Sequence, residues 1–277
     1  MREVIVQFLT ATGSTRSAAL MRIGLPLLIW TRMGDHWLLY RHHDAQSLLV
    51  VASYYLSTFA MLLGWHSRLS TAWVGLTMLF IYYGVGQVGG VESFTHHHIY
   101  ILAVAPCLLA FTECGRSWSW DRWRAVKRGA VLPEHGPTWG LSLITLQLSQ
   151  IYLWGAVSKF TGGYLSGERL EQIFMRLYSG SDYPDVLGFH ELMVAGAVLS
   201  VVLELILAGG LFIRRLHWWL LPVGVLFHAL MYVTLPVATF SATMWLLYLA
   251  VLDPDRVHEF IDEISGWSSP SAGGKSL

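Results

Sequence analysis

Cysteine is almost missing from this sequence: Cys107 and Cys114 are the only two, too few for a disulfide framework. Charge is scarce too. Asp, Glu, Lys and Arg make up 13% of the 277 residues, about half of the roughly 25% usual in soluble domains. The 18 basic and 18 acidic side chains cancel, so no global field selects a charged partner. Polar surface is too sparse to clothe a soluble domain of this size, and no basic excess is present to meet a phosphate backbone. An ordinary cytosolic enzyme and a nucleic-acid binder are thereby excluded. No cleavable signal peptide is expected, because MREVIVQFLTATGSTRSAA lacks a clear apolar core followed by a small-residue cleavage site. Nor does an internal repeat suggest the inverted halves of a transporter.

What the chain has instead is apolar length. Hydrophobic residues reach 54%, and the mean hydropathy is +0.49. A bilayer core takes about 20 mostly apolar residues per helix. Eight segments approach this, at roughly 18–38, 46–64, 70–88, 98–112, 139–158, 192–213, 216–234 and 238–252. The fourth and the last are short. Arg22, Arg32 and Asp35 interrupt the first, which leaves seven spans as the alternative. The expected fold is all-α: a polytopic membrane helix bundle of about eight transmembrane helices. Arg2 and Arg16 precede the first span, Arg68 follows the second, Arg116, Arg122, Arg124, Lys127 and Arg128 follow the fourth, and Arg214 and Arg215 follow the sixth. The positive-inside rule places these loops and both termini in the cytoplasm, and the loop 159–191 outside. The domain layout is then a cytoplasmic segment at 1–15, a membrane domain at 16–255 and a cytoplasmic tail at 256–277, ending in the disordered-looking GWSSPSAGGKSL. Trp118–Val131 has the composition of an amphipathic helix lying on the inner leaflet.

Ionisable side chains at bilayer depth need a partner or a cavity. His96, His97 and His98 open the fourth span. They form a polar cap, the wall of an outward site, or a metal ligand set. One ion cannot take all three from a helix, since neighbouring residues point about 100° apart; no metal is assigned. Lys159 closes the fifth span. It either snorkels to the outer interface or serves as a base, because desolvation disfavours an ammonium ion. Gln147 and Tyr152 precede it on the same span and can hydrogen-bond within a bundle. Glu204 sits near the middle of the sixth span, so it is protonated or paired, as a structural ion pair or a proton relay. Arg22 is the cation nearest in depth. His228 lies inside the seventh span, where a lone histidine is often a packing residue. Under this topology His98, Lys159 and His228 all fall in the outer halves of their spans, which makes a site of three basic groups.

The order of these residues resembles a known family, the vitamin K-dependent γ-carboxylase-like membrane domain, also called the horizontally transferred transmembrane (HTTM) domain. LGWHSRLS is similar to that family's turn between its second and third spans. HHHIYIL, with Glu113 after it, is similar to the span that opens with a catalytic histidine, and Trp-Ser-Trp-Asp at 118–121 follows in place. QLSQIYLWGAVSKF and GERL resemble a Gln-x4-Tyr-x6-Lys stretch, which puts the family's active-site lysine at Lys159. LELILAGGLF and FHALMYVTLPVATFSA resemble the last spans, with Glu204 and His228 at the family's acidic and histidine positions. The resemblance runs over residues 16–255.

The resemblance implies an integral membrane enzyme of the quinol-dependent carboxylase or epoxidase type, a lyase. Its cofactor would be vitamin K hydroquinone or menaquinol, with O2 and CO2 as co-substrates. Lys159 would be the general base, and His98 and His228 would orient the quinol oxygens. Gln147, Tyr152, Tyr100 and His97 would line the cofactor site. The animal enzymes carry a large extramembrane region after the membrane domain, whereas about 25 residues follow the last span here. They also carry a double lysine where this chain has Ser158-Lys159. Other short bacterial members are associated with maturing secreted toxin peptides, so the alternative is a non-enzymatic membrane partner of a secreted peptide or protein. The expected location is a bacterial inner membrane, crossed several times.

Overall fold

The computed structural model describes residues 6, 9–39, 45–180, 182 and 187–266. Arg2, the tail beyond Gly266 and the side chain of Asp35 lie outside them. Each of the eight apolar segments is helical. Helix α1 spans Arg16–Leu39 and α2 Ala45–Leu63; α3 spans Ser67–Phe80 and continues as a π-helix over Ile81–Val88. Helix α4 is His97–Leu109, α5 Trp120–Lys127, and α6 Trp139–Lys159. Two short helices follow, α7 (Gly162–Leu165) and α8 (Glu168–Leu177). Then come α9 (Phe189–Gly210), α10 (His217–Thr234), α11 (Ala238–Leu247) and α12 (Pro254–Ser265). Among the described residues, four stretches are long and apolar enough to cross a bilayer: Ser67–Val88, Trp139–Lys159, Phe189–Gly210 and Arg214–Thr234. Ser47–Leu63, His97–Leu109 and Ala238–Ala250 are apolar but shorter.

The chain divides into two compact units, one of residues 1–144 and 239–277, the other of 145–238, with the boundary inside α6. In the first unit, α1 buries Ala18, Met21, Arg22, Leu25, Ile29 and Met33, a stripe at helical spacing. It packs on α2 and α4, while α3 lies between α2 and α4.

Arg22 is fully buried in this packing, and its guanidinium is spent on backbone. It donates to the carbonyls of Met61 and Leu62 at 2.8 Å each, of Cys114 at 3.0 Å and of Trp118 at 2.7 Å. Met61 and Leu62 close α2, where carbonyls have no intrahelical partner and the helix dipole is negative. The pairing of Arg22 with Glu204 expected from matching depth is therefore corrected. Backbone carbonyls, two at the end of α2 and two in the loop before α5, occupy all three nitrogens of the guanidinium, and Glu204 has a lysine partner, described below.

The turn after α2 is built around the same point. Gly64 has φ +69, and a Cβ there would stand 2.7 Å from Arg22 Nη1 and 2.5 Å from Ser119 Cβ. His66 and Trp118 also take the left-handed region, at φ 45 and 47, a conformation that costs a non-glycine residue energy. Asp121 fixes the next helix: its carboxylate accepts from His66 N at 2.9 Å, Ser67 N at 2.7 Å and Ser67 Oγ at 2.8 Å, which caps the start of α3. Asp121→Ala is expected to lower stability by about 2 kcal/mol, the upper range for a lost helix cap. Thermal unfolding in micelles, followed by tryptophan fluorescence, measures it; an unchanged midpoint would remove Asp121 from this role.

Two features were not expected from the sequence. Thr12–Ser14 pairs antiparallel with His135–Pro137 as a two-stranded ribbon. The segment from 256 begins as helix: α12 starts with Asp253 capping Asp255 N at 3.1 Å and Pro254 in its first turn, and packs on the ribbon and α1. Polar contacts tie these parts together. Arg16 bridges Glu134 at 2.8 Å and Asp262 at 2.5 Å, and Ser14 N donates to Asp255 at 2.8 Å. The basic stretch expected as an amphipathic helix over Trp118–Val131 is helical over Trp120–Lys127, with Ser119 as its cap.

In the second unit, α9 packs on α7, α8 and α10. Tyr178, after α8, donates to the Thr234 carbonyl at the end of α10 at 2.8 Å.

Candidate functional site

One face of α6 carries Tyr152, Gly155, Ala156 and Lys159, spaced three to four residues apart as successive turns require. Tyr152 and Ala156 are buried. Opposite this face, α9 buries Ala197, Val201, Glu204, Leu207 and Ala208, a stripe at the same spacing that brings a carboxylate into apolar surroundings. The two helices are also tied by Ser149 Oγ, which donates to the Ala208 carbonyl at 2.6 Å.

Glu204 meets Lys159. Lys159 Nζ donates to Glu204 Oε1 at 2.6 Å, with side-chain exposures of 25% and 8%. Glu204 lies against Gly155: a Cβ there would be 3.1 Å from Oε2 and 3.2 Å from Oε1. Glycine at this turn of α6 therefore admits the carboxylate. Glu204 Oε2 is buried and has no hydrogen-bond partner among the described residues, although a buried polar atom is normally satisfied. The ammonium also faces the Tyr164 ring, 5.8 Å from its centroid. Tyr164 in turn shares a 3.1 Å hydrogen bond with Ser200 on α9.

Tyr152, two turns before Lys159, shares a 2.8 Å hydrogen bond with His228 Nε2 of α10. His228 is fully buried. The second unit thus brings Lys159, Glu204, Tyr152 and His228 to neighbouring turns, with Gln147 half-buried further back on α6. Beside Lys159 opens a polar groove of about 440 Å³, lined by Ser158, Thr161, Tyr164, Glu168, Arg169 and Gln172 among others.

The histidine triplet belongs to the first unit. His96 sits just before α4 in extended conformation and stacks on His98, with ring centroids 5.3 Å apart. His98 Nε2 accepts from Arg32 Nε at 2.8 Å. A guanidinium has no acceptor, so this nitrogen carries a lone pair and the proton of a neutral ring sits on Nδ1. His97 is exposed, and Tyr100 is half-buried against Tyr82, ring centroids 5.4 Å apart. No group of three or more His, Cys, Asp or Glu side chains fit to hold a metal occurs among the described residues.

Sequence reasoning paired neither Lys159 with Glu204 nor His98 with Arg32, and it missed Gly155, Tyr164 and Ser200. A signal for Gly155 was present: it lies between Tyr152 and Lys159 on one helix face, where a small residue marks a close approach.

A predominantly helical chain with four bilayer-length apolar helices among the described residues, and with charged side chains inside them held by partners, defines a membrane protein. The family model described as the HTTM domain matches residues 36–255, most of the chain, and the chain belongs to the HTTM family, a membrane family related to the vitamin K-dependent carboxylase. No curated protein and no solved structure matches it.

Proposed function

We propose that this chain is a membrane enzyme that works with a reduced quinone, vitamin K hydroquinone or menaquinol, and with O2 and CO2, and that Lys159 is its base. The observation that carries the proposal is the Lys159–Glu204 contact of 2.6 Å, set one turn from Gly155 and two from the Tyr152–His228 pair. A reduced quinone fits these residues in a specific respect: buried Glu204 Oε2 is an acceptor in need of a hydroxyl. Tyr152, His228 and Gln147 would hold the group. When bound, it would supply with O2 a base strong enough to deprotonate carbon, so that CO2 can add. The protein's own part is proton handling. Lys159 passes a proton to Glu204 Oε1, which leaves a neutral amine able to accept one from a hydroxyl. Tyr152 and His228 orient that hydroxyl.

Purified protein given reduced menaquinone or vitamin K, O2 and labelled bicarbonate is expected to form the quinone epoxide, and to fix label once a carbon acid acceptor is added. Absence of epoxide with either quinone would refute the reading. The polar groove beside Lys159 favours one second reading, a non-enzymatic partner that holds a secreted peptide; peptide binding without any quinol oxidation would select it.

The site's sidedness rests on topology. The proposal places eight spans within 16–255 in the cell membrane, with both termini cytoplasmic. Single cysteines at positions 125 and 165, in a chain whose own two cysteines are replaced, are expected to label from the inside and the outside respectively. The reverse pattern would put Lys159 on the cytoplasmic side.

A further inference from the structure

The first unit carries an apolar groove of about 690 Å³ between α2 and α3. Its α2 wall includes Leu56, Ala60 and Leu63, its α3 wall Leu69 and Trp73, and Trp120 of α5 closes its mouth. A second stretch of about 440 Å³ shares Leu69 and Trp73 and continues to Leu49, Leu76 and Phe80. From Leu69 to Phe80, at 1.5 Å per helical residue, the floor runs roughly 16 Å. That is about the depth of one leaflet's hydrocarbon, half of the roughly 30 Å core. Nearly all of the lining is carbon, and Trp73 Nε1 is satisfied internally by Ser53 Oγ at 2.7 Å.

The mouth differs in kind from the floor. Trp120 stacks near Trp123, centroids 4.6 Å apart, and Lys127 Nζ lies 4.5 Å from the Trp123 ring centroid. Arg124 is one turn along α5 from Trp120, and Arg128 follows Lys127 at the helix end. Acidic groups nearby are already committed: Asp121 to His66 and Ser67, and Glu134 to Arg16 and Arg122. Arg122 also donates to the Arg116 and Leu132 carbonyls. Arg124, Lys127 and Arg128 make no ion pair among the described residues. An acyl-length apolar groove therefore ends at an aromatic pair backed by three cations without carboxylate partners.

We propose that this groove and the basic end of α5 bind one anionic glycerophospholipid, with an acyl chain along the α2–α3 groove and the phosphate between Arg124, Lys127 and Arg128. Charge complementarity selects the headgroup, since basic clusters at a membrane surface attract anionic lipid. The two tryptophans hold the glycerol level, where indole rings prefer to sit.

The test is native mass spectrometry of the whole protein, released from micelles containing equal amounts of phosphatidylglycerol and phosphatidylcholine with identical chains. The wild type is expected to retain the anionic lipid over the zwitterionic one by roughly tenfold, a modest yield for three cations near a headgroup. The triple variant R124Q/K127Q/R128Q should bring that ratio to about one while keeping some of both lipids. Ala60→Trp, which fills the groove, should lose both, and Ala72→Trp, which fills the adjoining stretch that Ala72 lines, is the second filling variant should the first fail to fold. A wild type without headgroup preference, or a triple variant that keeps it, would overturn the proposal. Displacement of the lipid by equimolar menaquinone would overturn it as well, by making an isoprenoid chain the occupant. None of these readouts depends on quinone turnover.

Discussion

Arg22→Met is expected to destabilise the protein by roughly 4 kcal/mol, more than any other single change outside the Lys159 region. Methionine keeps much of the side-chain volume, so the loss comes from hydrogen bonding. Four carbonyls lose a charged donor, and a hydrogen bond to a charged group contributes about 1.5–3 kcal/mol. The sum is reduced because burying the guanidinium itself costs energy. Lysine should recover little: an ammonium cannot present the planar fork that spans Met61, Leu62, Cys114 and Trp118. Thermal unfolding in micelles gives the size of the effect. Hydrogen exchange gives its place, with faster exchange expected at the end of α2 and around residues 114–121. A drop under about 1 kcal/mol, the net contribution of one ordinary hydrogen bond, would mean that the helix end is held by something else.

Arg22 also marks where the sequence ceased to be legible. Apolar runs identify helices because bilayer and core make the same demand on a segment, and each of the eight segments is helical within a few residues of its expected bounds. The partner of a buried cation is another matter. From sequence, only side chains are visible as acceptors, so Glu204 was the natural match for Arg22 in depth. The actual acceptors are carbonyls, present at every residue and left without a backbone partner at helix ends and in loops. The family-like pieces LGWHSRLS and Trp-Ser-Trp-Asp do contain this arrangement. Gly64 leaves room for the guanidinium, Trp118 turns its carbonyl to it, and Asp121 caps the helix that starts at Ser67. Helix α12 was legible in principle: Asp253 followed by Pro254 is a helix-start signature, and Gly266 a stop. The ribbon of Thr12–Ser14 with His135–Pro137 was not, since three-residue strands carry too little alternation to register. In the second unit, the candidate residues were visible individually because each is a polar group in an apolar run. Their pairing depended on the facing of α6 toward α9, which no single run encodes.

Lys159→Ala is expected to abolish quinol oxidation, and to damage the fold by an amount that a second substitution repairs. Removing one partner of a buried ion pair costs about 3–5 kcal/mol because the other charge is left uncompensated. The pair here is unequal. Glu204 keeps 8% of its side chain exposed and Lys159 25%. Without the lysine, the carboxylate stays against Gly155 with neither oxygen bonded. Without the carboxylate, the lysine stem can swing its ammonium toward water. Lys159→Ala should therefore cost about 3 kcal/mol and Glu204→Gln about 1 kcal/mol, each discounted for the exposed quarter of Lys159. The double variant should be more stable than Lys159→Ala alone, since the stranded charge is gone. The proximity of the groups makes this non-additivity a direct reading of their coupling. Activity separates the roles. Lys159→Ala and the double variant should both lack turnover although the double variant is well folded, and an added small amine should restore part of it to Lys159→Ala. Glu204→Gln should slow turnover, because the amine then has no carboxylate to relieve it of its proton. Wild-type turnover in the folded double variant would end the case for Lys159 as the base. Wild-type turnover in Glu204→Gln alone would leave the lysine in place and reduce Glu204 to a partner that holds it.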